Sequence, residues 1–164
     1  MNATATSAAT TTSAEGRDLV LTRFIAAAPE KLFRAWTEPE LIKQWFAPKP
    51  WTTVRAESDA RAGGASLVVM RGPDGTEMPC PGVYLEVVRN QRIVATDAFV
   101  TAWEPAPKPF MTTVLTFEAT QGGTRYTARV RHWTMEDREA HEKMGFHEGW
   151  KQCTEQLAEL VARI

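Results

Sequence analysis

The stretch GWKQCTEQLAELVARI, residues 149–164, decides the fold because it predicts a strongly amphipathic helix at the end of the chain. Its apolar residues recur at the three-to-four spacing that one buried helix face requires. These residues are Trp150, Cys153, Leu157, Leu160 or Val161, and Ile164. Helical composition extends the prediction back to Met135, and Gly145 and Gly149 within it predict a bend or a close backbone approach. A helix with one apolar stripe needs an apolar surface to cover that stripe.

The preceding residues predict an antiparallel sheet as this surface. Between Trp51 and Trp133, apolar and polar residues alternate with a period of two, and turn residues separate the segments. With the segment before them, the predicted strands are 17–26, 52–59, 65–71, 82–88, 92–101, 112–119 and 124–133. Their connections favour antiparallel pairing, because parallel pairing needs longer crossovers. We therefore predict an α+β fold in which a curved seven-stranded antiparallel sheet wraps around the long C-terminal helix.

Two short helices are predicted after the first strand. The first runs from Pro29 to Trp36, with proline in a position that suits the first helical turn. The second has Thr37 as its predicted N-cap, with Glu40 three residues later as in a capping box, and continues to Phe46. We expect the two helices to close one end of the sheet.

Composition argues against several classes of protein. The formal net charge is −1 and no basic patch stands out, so nucleic-acid binding is not expected. No apolar run approaches the roughly 18 residues of a membrane span, and the first residues lack the features of a secretory signal. Residues 1–16 are predicted to be a disordered tail, and residues 17–164 a single domain. Cys80 and Cys153 are expected to be reduced, which favours the cytoplasm.

No motif for catalysis or cofactor binding stands out. The glycines in Asp59–Gly64 lack the Lys-Ser or Lys-Thr of a phosphate-binding loop and predict a tight turn. His141 and His147 would lie on different sides of a continuous helix, so a shared metal site is not predicted. Cys153 lies on the apolar stripe and is predicted to be a core residue. The sequence therefore predicts no catalytic residue, no cofactor and no metal.

The order and spacing of several short motifs resemble one known family. The motifs are Arg23, Ala28-Pro29, Phe33–Thr37, Trp45-Phe46, Asp59–Gly64, Gly75, Gly82–Val87, Arg92–Val94, Gly123-Thr124, Gly149-Trp150 and Leu157. From about Arg17 to Ile164, the chain is similar to the START-like, or SRPBCC, superfamily, in the branch named for the activator of heat-shock-protein-90 ATPase. The resemblance implies the helix-grip fold. It implies no particular activity, because names such as ATPase activator and polyketide cyclase belong to a few members.

A pocket between the sheet and the helix is predicted to be aromatic and mostly apolar. Strand alternation places Asp97 and His132 on the more apolar faces of their strands. Each of these two side chains can anchor a polar group of a ligand, serve as an acid or base, or form hydrogen bonds with neighbouring protein groups. Each tryptophan is likewise either a pocket wall or part of the core. The predicted pocket residues are Trp36, Met70, Asp97, Phe99, Trp103, His132, Trp133, Phe146 and Trp150.

Three functions are compatible with the sequence. The leading hypothesis is a non-catalytic protein that binds a small hydrophobic or aromatic molecule. The second is an enzyme, such as a cyclase or hydrolase, that uses Asp97 or His132 as acid or base. The third is a chaperone-interacting protein, for which only the family name speaks. We also expect that two copies can pair through an exposed sheet edge to form a homodimer.

Overall fold

The computed structural model describes residues 9–164, and within them ten strands and four helices. The strands are β1 Thr11–Glu15, β2 Asp18–Ile25, β3 Thr52–Ser58, β4 Ala65–Arg71, β5 Glu77–Val88, β6 Arg92–Thr96, β7 Phe99–Thr101, β8 Glu104–Pro105, β9 Met111–Thr120 and β10 Gly123–His132. The helices are α1 Pro29–Thr37, α2 Pro39–Ile42, α3 Met135–Lys143 and α4 Phe146–Val161. The predicted α+β class is confirmed.

Eight of these strands form one antiparallel sheet in the order β1-β2-β10-β9-β6-β5-β4-β3. The sheet has one strand more than predicted, because residues 11–15 pair with β2 across a turn at Gly16. The Ala, Thr and Ser composition there predicts a tail, but β-branched threonines also suit a short edge strand. The predicted tail is therefore wrong for residues 11–15. Its first part, residues 1–8, lies outside the described residues.

Two strand boundaries differ from the prediction. β5 begins earlier and runs through Pro79 and Pro81, which lack the N–H group that a sheet ladder uses. This half of β5 pairs only with β4, since pairing with β6 begins at Val83, so the prolines occupy a sheet edge. The predicted strand 92–101 ends at Thr96, and the chain beyond it leaves the sheet as a separate ribbon of β7 and β8.

The predicted C-terminal helix consists of two helices, α3 and α4, separated at Gly145. Gly145 has a φ of 97°, a left-handed conformation that glycine adopts without steric cost. The predicted bend is therefore confirmed at this position, whereas Gly149 lies inside α4. The predicted cap of the second short helix is wrong. The N-cap of α2 is Glu38, and the Thr37 hydroxyl donates instead to the Phe33 carbonyl.

Helix α4 packs on the sheet through the apolar stripe that its sequence predicts. Leu157, Leu160 and Val161 are at most 1% exposed, and they share one core with Leu21 of β2 and Tyr126 of β10. Burial of a large apolar side chain contributes about 1.5–3 kcal/mol, so this stripe holds the helix on the sheet. None of the helices in residues 9–164 has the length and hydropathy that crossing a membrane requires.

Candidate functional site

The nine residues predicted to line one pocket lie in separate parts of the structure. Phe99 and Trp103 contact each other on the β7–β8 ribbon, with ring centroids 5.7 Å apart, and Trp103 is 66% exposed. Trp133 is also exposed, and Met70 is half-buried on β4. The structure does not bring all nine together, because the ribbon and the break before α4 redirect the chain.

Asp97 follows the last residue of β6, where the chain leaves the sheet. One carboxylate oxygen accepts hydrogen bonds from the backbone N–H groups of Phe110, at 2.8 Å, and Met111, at 3.1 Å. These donors lie at the start of β9. The carboxylate therefore connects the end of β6 to the start of β9, the two points between which the chain forms the β7–β8 ribbon. Two charge-assisted bonds occupy this side chain. Asp97 therefore bonds to neighbouring protein groups, one of the alternatives that the sequence leaves open.

His132 is 2% exposed, and both of its ring nitrogens have partners. Nδ1 lies 2.8 Å from the carbonyl oxygen of Arg17, and Nε2 lies 2.9 Å from Nδ1 of His141. Because a carbonyl only accepts, His132 carries its proton on Nδ1, and the N–H of His141 donates to His132 Nε2. Burial, with smaller effects of His132 and His147, lowers the pKa of His141 to about 4. The histidine pair thus ties α3 to β10.

The histidine pair belongs to a small aromatic cluster at one end of the sheet. Phe110 and Phe146 contact His141 with ring centroids 5.1 and 5.0 Å apart, and Trp150 lies 5.1 Å from Phe146. Helical spacing could not predict the pair, because the partner of His141 comes from β10. Throughout the part of the chain that the structure describes, no three His, Cys, Asp or Glu residues are grouped to hold a metal ion.

The interior between α1, β10 and α4 contains a second group of polar atoms, which we call the indole site. Its members are Trp36, Tyr126 and Cys153, which lie in or against the main core. The Trp36 indole N–H is buried, and within the described part of the chain it has no close hydrogen-bond acceptor. It lies near the Tyr126 hydroxyl and lowers the pKa of that group against the larger, opposite effect of burial, but the two groups do not form a close hydrogen bond. A buried donor without an acceptor is rare in folded proteins.

The indole site carries no charge at neutral pH. Burial raises the pKa of Tyr126 far above its usual range. Burial also raises the pKa of Cys153 to about 12. The Cys153 thiol donates to the carbonyl oxygen of Phe46 at 3.3 Å. Because a protonated thiol is a poor nucleophile, Cys153 is a packing group here, as its position on the apolar stripe predicts.

Trp45 and Phe46 form an aromatic wall beside Trp36. Their ring centroids lie 4.7 and 6.1 Å from the centroid of Trp36, in edge-to-face arrangements. The sequence predicts both residues on a second helix, but α2 ends at Ile42 and they belong to the irregular segment after it. The Trp45 indole N–H donates to the Ala35 carbonyl at 2.9 Å. Trp45 is therefore satisfied by the protein, whereas Trp36 is not.

Residues 45–49, which we call the strap, are held on α4 by glutamine side chains. The Gln156 amide donates to the carbonyl oxygens of Trp45 and Ala47, each at 2.8 Å. The Gln152 amide donates to the carbonyl at the far end of the strap at 3.2 Å. These side-chain bonds fix an irregular segment next to the indole site. Such a segment can open at lower cost than a helix or strand of the core.

Two of the clefts on the described surface lie beside the sheet. The smaller has a volume of about 240 Å³ and lies where β2 and the last turns of α4 diverge. Its lining residues are Arg23, Phe24, Ile25, Ala26, Ala158 and Ala162. The larger, of about 480 Å³, is a wide depression between the start of α1, the β5–β6 turn and β9. None of the nine predicted pocket residues lines either cleft.

Comparison with known proteins agrees with this architecture. The model of the family described as "Activator of Hsp90 ATPase homolog 1-like protein" matches residues 26–162. The chain belongs to this family. The matched range of this AHSA1-like family runs from just before α1 to the end of α4, and it contains all three members of the indole site. None of the curated proteins matches the chain.

Solved structures show the same AHSA1-like, helix-grip fold. The chain is similar to a Nitrosomonas europaea protein at 43% identity, with 89% of this chain and 94% of that chain covered and a TM-score of 0.86. A Chromobacterium violaceum protein is 29% identical, with coverages of 90% and 99% and a TM-score of 0.76. An AHSA1-like protein of Aeromonas hydrophila, 20% identical with coverages of 88% and 92% and a TM-score of 0.70, supports the fold alone. The predicted superfamily and fold are confirmed.

Proposed function

We propose that the protein binds a small hydrophobic or aromatic molecule at the indole site and catalyses no reaction on it. The observation that carries the proposal is the buried Trp36 N–H without an acceptor. Leaving such a donor unsatisfied costs about 1–3 kcal/mol, which a bound ligand with an acceptor would recover. The groups around it are the side chains of Tyr126 and Cys153 and the aromatic wall of Trp45 and Phe46. Aromatic walls with few polar groups are typical of small-molecule sites.

Access to the indole site would come from the strap or from the smaller cleft. Tyr126 pairs with Arg23 in the sheet, and Arg23 lines that cleft. The cleft volume of about 240 Å³ is below the roughly 300–1,000 Å³ of typical ligand pockets, so binding must also displace protein groups. The strap can supply this room, because glutamine side chains of α4 hold it.

The proposal is tested with N-phenyl-1-naphthylamine, a neutral apolar probe whose fluorescence rises on binding. We expect saturable one-to-one binding to the full chain. Cys153→Met adds side-chain volume inside the indole site and should weaken binding clearly. Cys80→Met is the matched control, since Cys80 is a half-buried thiol on β5, and it should bind like the unaltered chain. Circular dichroism checks that both variants fold. Absence of saturable binding, or equal weakening in both variants, would contradict the proposal.

An enzyme that uses Asp97 or His132 has less support. The Asp97 carboxylate accepts two backbone hydrogen bonds, and His132 is buried with both nitrogens engaged. We therefore expect Asp97→Asn to leave probe binding largely intact, whereas an enzyme of this type would lose turnover in that variant. A role in binding a chaperone is supported only by the name of the family.

Compartment and assembly are further parts of the proposal. Cys80 and Cys153 are free thiols, which is compatible with the reducing cytoplasm that we propose. We also propose that two copies form a homodimer through the β3 edge of the sheet. β3 is the last strand in the sheet order, so among the described residues the backbone groups on its outer side are not used by a neighbouring strand. Light scattering at several protein concentrations measures the assembly, and a monomer at all of them would contradict the dimer.

A further inference from the structure

We infer that the ligand of the indole site is a neutral molecule that carries one hydrogen-bond acceptor, such as an aryl ketone, on an otherwise apolar body. This inference rests on the proposed function and states the chemical class of its ligand. It excludes two classes that an apolar interior could otherwise accept. One is a pure hydrocarbon, and the other is a carboxylate such as a fatty or aromatic acid.

The need for an acceptor follows from the polar atoms of the site. The Trp36 indole nitrogen is a donor only, and among residues 9–164 it forms no close hydrogen bond with an acceptor. The Tyr126 hydroxyl can donate as well as accept, so a carbonyl oxygen between the two groups can accept from both. The neighbouring Trp45 indole donates to the Ala35 carbonyl and is not free for a ligand. A hydrocarbon would bury the Trp36 donor further without pairing it.

The preference for a neutral ligand follows from the charges around the site. The pKa values of Tyr126 and Cys153 are both raised, mainly by burial, so the surroundings disfavour a negative charge. The nearby cleft contains one cation, Arg23, and two of its nitrogens bond the Glu155 carboxylate at 3.0 and 2.9 Å. A third Arg23 nitrogen donates to the Phe24 carbonyl. A carboxylate ligand would therefore lose its hydration without gaining a free cation.

Three probes of similar size separate these classes at pH 7: naphthalene, 2-acetylnaphthalene and the anion 2-naphthoate. We expect the ketone to bind roughly 5- to 150-fold more tightly than naphthalene, because it satisfies a buried donor. We expect 2-naphthoate to bind most weakly. Affinities come from calorimetry, and the location comes from nitrogen-15 spectra of the tryptophan indole N–H groups. The signal absent from Trp36→Phe identifies Trp36, and the ketone should shift this signal.

Trp36→Phe is the decisive variant, because it keeps an aromatic ring and removes the donor; the ring volume lost with it affects both naphthalene and the ketone, so the ratio of their affinities reports the donor. The preference for the ketone over naphthalene should fall to near unity in this variant. Trp103→Phe, at an exposed tryptophan, is the matched control and should keep the preference. If Trp36→Phe is too unstable to measure, the Trp36 signal is assigned from nuclear Overhauser contacts in the unaltered chain, and its shift still carries the test.

Each other outcome overturns a different statement. Equal affinity for naphthalene and the ketone, or no shift of the Trp36 signal, would overturn the acceptor requirement. Tightest binding of 2-naphthoate would overturn neutrality and would indicate that the ligand competes with Glu155 for Arg23. If none of the three probes binds, the proposed function fails, and the inference about ligand class fails with it.

Discussion

Acidification from pH 7 to pH 4.5 should weaken the attachment of α3 to β10 through the His132–His141 pair. The pKa of His141 is about 4 in the folded chain, against an ordinary value of 6.5. Between these two pH values, His141 is protonated in the unfolded chain but remains neutral in the folded chain. The contribution of neutral His141 to the free energy of unfolding is complete above pH 6.5. It decreases as the pH falls from 6.5 toward 4, and below pH 4 it decreases no further.

The size of this effect follows from the shift in pKa. Each pKa unit corresponds to about 1.4 kcal/mol, so the full shift of His141 would correspond to roughly 3 kcal/mol. His141 is only partly buried, and solvent screening reduces the expected loss to about 1–2 kcal/mol between pH 7 and pH 4.5. Other groups around the pair, including His147, Glu142, Arg138 and Arg17, also contribute charge, so a variant is needed to isolate His141.

His141→Asn isolates the contribution, because the asparagine amide nitrogen can replace the donor at Nδ1. Urea denaturation at pH 7 and pH 4.5 gives the free energy of unfolding of each protein. We expect His141→Asn to lose about 1–2 kcal/mol less stability than the unaltered chain over this interval. Met144→Leu, at a position that is 72% exposed, is the control and should follow the unaltered chain. Parallel pH dependence in His141→Asn and the unaltered chain would refute the assignment.

Two other regions give predictions of stability and dynamics. Gly145→Ala should destabilise the chain by about 1–2 kcal/mol, because alanine resists the φ of 97° between α3 and α4. Gly149→Ala should stabilise the chain by roughly 0.5–1 kcal/mol, because this glycine lies inside α4 with open space around it. Thermal unfolding midpoints that shift in the same direction in both glycine variants would contradict this account. Gln156→Ala removes three bonds to the strap and should lower stability by about 1–3 kcal/mol while raising the rate of probe entry, measured by denaturation and stopped-flow fluorescence. Unchanged entry in Gln156→Ala would mean that the strap is not the route.

Much of the fold could be predicted from local pattern. β4 occupies the predicted residues Ala65–Arg71, because a short run rich in apolar and β-branched residues is bounded by glycines and turn residues on both sides. The bend at Gly145 could also be predicted, because glycine inside a helical pattern usually has a structural reason. The residues of β1 could not, since Thr11–Glu15 becomes a strand only through its partner β2. Its composition alone resembles that of a tail.

The candidate site was less accessible from sequence, because it depends on contacts between distant segments. Strand alternation singles out Asp97 and His132, but β6 ends before Asp97, and the partners of the two side chains are backbone groups at the start of β9 and a histidine of α3. Trp36 is among the predicted pocket residues, yet its unpaired N–H is a property of the packing around it. Tyr126 was missed as a site residue, although its place on the apolar face of β10 was the available signal.

The central claim, that the indole site binds a ligand, is tested most directly by a crystal structure of the full chain with 2-acetylnaphthalene. The account predicts density for the probe between Trp36 and Tyr126, with its carbonyl oxygen within about 3 Å of the Trp36 indole nitrogen. The strap should be displaced or rearranged next to it. A saturated crystal in which the probe occupies only the outer clefts, while Trp36 stays packed and unpaired, would contradict the claim.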